Sequence, residues 1–146
     1  MDSGITLIFY VGLKFTAYAS WCFFGLRLLK DTNSVRASLG FGLVRLLLGV
    51  FFGFGIFLIG GMLHLEVPAR PVLMYLSIYA PVRYIEWAIL AVLLRKGVAQ
   101  AIPLNSAKTQ LWIVGGIVVS HLADLPLILT NYGGTKEFLP VGRFLC

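Results

Sequence analysis

The sequence predicts an all-α polytopic membrane protein, with four transmembrane helices in an antiparallel bundle and one membrane domain spanning residues 1–146. Composition is the first observation behind this. Hydrophobic residues make up 59% of the 146 and charged residues 12%, where soluble domains carry roughly 45–50% and about 25%. The mean hydropathy is +0.90, and a small soluble domain has too much surface for its volume to hide that much apolar area. Length and spacing give the second observation. A helix needs about 20 apolar residues to cross a hydrocarbon core of about 30 Å, and four stretches of the chain qualify, with polar turns between them. The third is the absence of alternation. Runs such as Leu46-Leu47-Leu48-Gly49-Val50-Phe51-Phe52 do not switch polarity at every residue, as a membrane β-barrel strand would.

The elements follow in order. Helix 1 is expected over about residues 4–29 and helix 2 over 35–63. Lys30-Asp31-Thr32-Asn33-Ser34 forms a tight polar turn between them, with Asn33 or Ser34 as the N-cap. Helix 3 is expected over 71–94, with Pro71 in its first turn, where a missing N–H costs nothing. The third connection is the longest, and its Pro103-Leu104-Asn105-Ser106 provides a stop and a cap for helix 4, expected over 109–130. The remaining 131–146 reads as a short outward-facing tail, apolar enough to lie on the membrane surface or to contact a partner.

Orientation comes from Lys and Arg near the helix ends. Arg27, Lys30, Arg36, Arg95, Lys96 and Lys108 flank the first and third connections, against Arg70, Lys136 and Arg143 on the other side. This places the first and third connections in the cytoplasm and both termini outward; the cell (inner) membrane is the expected location. Trp21 and Trp112 fit an aromatic belt at the cytoplasmic interface. Asp2 and Lys14 argue against reading helix 1 as a cleaved signal. Cys22 and Cys146 are expected at opposite faces of the membrane, too far apart for a disulfide.

Every expected span carries ionisable residues well inside it. These are Lys14 on helix 1, Arg45 on helix 2, Arg83 and Glu86 on helix 3, and His121 and Asp124 on helix 4. A charge near mid-bilayer costs about 2.5–3.5 kcal/mol on insertion scales, so these side chains are expected to face the bundle interior and one another. Their spacing agrees. Tyr10, Lys14 and Tyr18 stand four residues apart on one stripe, and Tyr75, Tyr79, Arg83 and Glu86 form another. Ser38, Gly42, Arg45, Gly49 and Gly53 share a face of small residues that admits a neighbouring helix. Gly116, Ser120 and Asp124 align on helix 4. With His121 neutral, Lys14, Arg45 and Arg83 against Glu86 and Asp124 leave a net charge of +1. Two ion pairs would leave one cation spare, and such a cation favours an anion.

Three functions fit this pattern. The first is a buried, net-cationic site that binds or transports an anionic or amphipathic, lipid-like ligand, with Lys14, Arg45, Arg83, Tyr18 and Tyr79 as contacts. The second is a non-catalytic subunit of a larger membrane complex or homo-oligomer, whose charges fix helix packing. The third is an intramembrane enzyme acting on a lipid-like substrate, with His121, Asp124 and Glu86 as acid–base groups. Membrane lipid is the expected partner in each. No metal or other cofactor is expected, since His64 and Glu66 lack further ligands beside them. The sequence holds no phosphate-binding loop, zinc-protease, nucleophile-elbow, Cys-x-x-Cys or dinucleotide fingerprint. Membrane topology accounts for much of the +6 net charge, so nucleic acid is not an expected partner.

Overall fold

A computed structural model describes residues 3–30, 33–62, 71–95 and 105–132, all in helices or their caps. The architecture is all-α: α1 (Ser3–Lys30), α2 (Val35–Met62), α3 (Pro71–Arg95) and α4 (Ala107–Tyr132). α1 touches all three other helices and packs most extensively on α2, while α4 lies against both α1 and α3. His64, Glu66, Lys96, Pro103, the tail from 133 and Cys146 lie outside the described residues.

Local chemistry sets the helix ends. The Ser34 hydroxyl accepts a hydrogen bond from the Ala37 N–H at 3.2 Å, and the Ser34 carbonyl accepts one from the Ser38 N–H at 3.0 Å, so Ser34 is the N-cap of α2. Ser106 caps α4 in the same way, accepting from the Thr109 N–H at 3.2 Å and sharing a bond of 2.8 Å with the Thr109 hydroxyl. α4 therefore begins at Ala107, two residues before the expected start. Pro71 opens α3. Pro81 sits inside the same helix with its ring exposed, and its missing N–H removes one helix hydrogen bond just ahead of Arg83.

The polarity of the packing is inverted relative to a soluble protein. Lys14, Arg45, Arg83, Glu86 and Asp124 are all buried. Large apolar side chains cover the outside, with Phe51 74% and Leu111 70% exposed. On α2 the described buried residues are Ser38, Gly42, Arg45, Gly49 and Gly53, the face of small residues around Arg45. Leu39, Leu43, Leu47, Phe51, Phe54 and Leu58 make its exposed stripe. Among the described residues, α2 alone is long and apolar enough to qualify as a membrane span: Val35–Ile56 has a mean hydropathy of 2.0, with 22% of its most apolar stretch buried. The other three helices are less apolar along their lengths.

Close helix approach is set by glycines. A Cβ on Gly42 would lie 2.9 Å from the backbone N and Cα of Ala19, so α1 and α2 meet backbone to backbone there. α1 and α4 are clasped by two tryptophans. The Trp21 indole N–H donates to the Trp112 carbonyl at 3.0 Å, and the Trp112 indole N–H donates to the Trp21 carbonyl at 3.2 Å. Each ring covers a glycine of the opposite helix, Trp21 on Gly115 and Trp112 on Gly25. Both tryptophans thus act as a helix clasp, a role beyond the interfacial belt expected from their positions in the sequence.

Candidate functional site

Two ionic centres are stacked inside the bundle. The first is built on Asp124 of α4. Its Oδ1 accepts from the Lys14 ammonium of α1 at 2.8 Å and from the Tyr10 hydroxyl at 2.7 Å, while its Oδ2 accepts from Nη2 of Arg83 on α3. Lys14 also lies 4.8 Å from the centre of the Tyr10 ring, within reach of a cation–π attraction. One carboxylate with two oxygens thus serves two cations. The third cation is not left spare, as simple pairing would leave it; Lys14 and Arg83 share one partner.

The second centre lies about one turn further along the helices, since Tyr18, Glu86 and Ser120 stand three or four residues from Lys14, Arg83 and Asp124. Nη2 of Arg45 is 2.6 Å from Oε2 of Glu86, with both side chains fully buried. The same nitrogen donates to the Ser120 hydroxyl at 3.4 Å, and the Trp87 indole N–H donates to that hydroxyl at 3.1 Å. The guanidinium stands between two rings, 4.8 Å from Tyr18 and 5.1 Å from Trp87. Trp87 can reach this position because Gly116 faces it: a Cβ there would lie 2.5 Å from the indole.

The second centre is polar beyond what its neighbours satisfy. Nε and Nη1 of Arg45, Oε1 of Glu86 and the Tyr18 hydroxyl have no hydrogen-bond partner among the described residues. Buried polar groups are nearly always paired, and one left unpaired in a native structure points to water, an ion or a ligand. These groups come from α2, α3 and α1, and they offer two donors, one acceptor and one hydroxyl able to act as either. Below them the bundle is closed by one apolar cluster that includes Cys22, Leu26, Leu90, Leu94, Trp112 and Ile113. This floor lies toward the ends carrying Lys30, Ser34 and Ser106.

The expected site residues are therefore distributed as follows. Lys14, Arg83 and Asp124 meet at the first centre; Tyr18, Arg45 and Glu86 meet at the second. Tyr79 and His121 are half-buried. Side chains of Tyr75 and Pro126 lie outside the described residues. Tyr10, Trp87 and Ser120 complete the two centres and were not among the expected contacts. The signal for two of them was present: Tyr10 and Ser120 each stand four residues before a buried charge. Among the described residues no group of three or more His, Cys, Asp or Glu comes together to hold a metal.

No protein-family model matches the chain, and no curated protein or solved structure matches it either.

Proposed function

We propose that the chain is a four-pass integral membrane protein that holds the polar end of an anionic or amphipathic ligand at Arg45. The membrane reading is supported by the inverted packing. Five charged side chains are buried together, and stripes such as Leu111, Val114, Val118, Leu122 and Leu125 turn outward. Water would penalise that apolar surface, and hydrocarbon would not. The first and third connections face the cytoplasm and both termini face outward, as the Lys and Arg distribution favours.

The single observation that carries the ligand reading is the unsatisfied edge of Arg45. A buried guanidinium with two nitrogens unpaired among the described residues, beside a Glu86 oxygen likewise unpaired there, matches a small group that both accepts and donates. The N–H groups on those two nitrogens lie in the rigid guanidinium plane and point to different sides, so each can meet one oxygen of an anionic group. The apolar floor keeps the group from passing toward the cytoplasm, so entry is from the outer half or sideways from lipid. The Asp124 centre acts differently: it ties α1, α3 and α4 together and positions the second centre.

The test is mass spectrometry of the lipids and organic anions extracted from the purified protein. Wild type retains a ligand in near-stoichiometric amount. Arg45→Lys, which keeps the charge and loses the planar donors, lowers that amount about tenfold or more, the loss expected when charge-assisted hydrogen bonds go. Arg45→Met combined with Glu86→Leu removes the pair without stranding a charge, so this variant stays folded and carries no ligand. Equal retention by all three would refute the reading.

A second reading, in which the charges only fix packing within a larger complex, is supported by the fully engaged Asp124 oxygens. A stable, monodisperse protein purified alone would count against it.

A further inference from the structure

A groove of about 460 Å³ runs between α1 and α4 on the outside of the bundle, lined by Trp21, Phe24, Arg27, Leu28, Leu111 and Trp112. Five of these six side chains are apolar or aromatic. The sixth, Arg27, is exposed and has no ion-pair partner among the described residues. The tryptophan clasp runs α1 and α4 antiparallel, so the last turn of α1 and the first turn of α4 share one end of the bundle. Lys30 and Lys108 therefore join Arg27 there. From Arg27 the groove extends six residues along α1 to Trp21, about 9 Å of helix. Apolar depth below a cationic mouth is the outline of a phospholipid, with acyl chain below and phosphate above.

We infer that this groove is a specific site for an anionic phospholipid on the cytoplasmic leaflet, with its acyl chain along Trp21, Phe24 and Leu111 and its phosphate at Arg27. The inference rests on the membrane-spanning reading. It is independent of the Arg45 centre, which the clasp and the apolar floor separate from the groove. Charge complementarity selects the occupant. A second copy of this chain would have to bring a carboxylate to Arg27, and the exposed stripes of the described helices are apolar.

The experiment is native mass spectrometry of the full chain released from detergent, titrated with phosphatidylglycerol or with phosphatidylcholine of the same acyl chains. Wild type should keep its first phosphatidylglycerol about fivefold more tightly than phosphatidylcholine, the effect of one well-placed basic side chain at a membrane surface. Arg27→Gln should abolish that preference. Leu111→Trp, at an exposed position, should fill the groove and weaken both lipids. Arg36→Gln, an exposed cation on α2 outside the groove, should change neither. Equal retention of the two lipids by wild type, or an equal loss in Arg36→Gln, would overturn the inference in favour of general surface attraction. A dimer lost in Leu111→Trp would overturn it in favour of self-association. Alkaline carbonate extraction keeps the two readings apart: a chain released from membranes by carbonate fails the membrane reading, whereas a retained chain without lipid preference fails the groove alone.

Discussion

Asp124→Asn will strand two buried cations, Lys14 and Arg83, and the protein will lose most of its folded population in mild detergent. Removing one partner of a buried ion pair costs about 3–5 kcal/mol, a large part of the roughly 5–15 kcal/mol that holds a typical domain together. Asparagine keeps the size of the side chain and one acceptor oxygen, so the loss reports charge and not packing. The effect exceeds that of either cation alone because Asp124 joins three helices: Lys14 and Tyr10 arrive from α1 and Arg83 from α3. Adding Lys14→Met to Asp124→Asn removes one of the two stranded cations, so the double variant will recover part of the lost stability. Thermal unfolding followed by size-exclusion fluorescence measures both. Simple addition of the two single effects would mean that Lys14 and Asp124 do not act as a unit.

Gly42→Leu will separate α1 from α2, the most extensive helix contact in the bundle. At this position the obstacle is the backbone of Ala19, 2.9 Å from the site of a Cβ, and a backbone cannot rotate out of the way as a side chain can. Overpacking a tight core costs about 1–3 kcal/mol, and a contact against backbone belongs at the upper end. Gly40 is the built-in control. It lies two residues away on the same helix, is exposed, and has nothing within 4 Å of where a Cβ would stand. Gly40→Ala will leave stability unchanged or raise it slightly through helix propensity. The same unfolding assay separates the two; equal loss in both would mean that the close approach of α1 at Gly42 does not set the response.

Much of this arrangement is legible in one dimension. The face of α2 around Arg45 follows from steps of three and four between small residues, and those residues are its described buried ones. The caps follow from Ser34 and Ser106, because a hydroxyl just before an apolar run satisfies the first free N–H groups. Partner choice is not legible in this way. A stripe tells which way a side chain points along its own helix; it does not tell which neighbouring stripe it meets. His121 stands three residues from Asp124 on its own helix, and nothing in one dimension says that Lys14 and Arg83 also reach Asp124 from two others. Trp87 stands next to Glu86 in the chain and so could line the site or only pack; that it stands against Arg45 depends on Gly116 of another helix. α3 runs through Pro81, as the expected helix over 71–94 does, although the proline removes one helix hydrogen bond.

The inverted packing makes its sharpest demand on where water reaches. In a chain freed of Cys22 and Cys146, single cysteines at Asn33→Cys, Asn105→Cys and Phe51→Cys can be probed with a membrane-impermeant maleimide, on intact cells and on inverted vesicles. Positions 33 and 105 lie at exposed caps of the first and third connections, and position 51 lies on the exposed apolar face of α2. Four spans with cytoplasmic first and third connections require 33 and 105 to react in inverted vesicles only, and 51 to react in neither preparation until the membrane is dissolved and the chain denatured. Free reaction at 51, or reaction of 33 and 105 from opposite sides, would contradict a bundle that faces lipid with its apolar surface and keeps its charges inside.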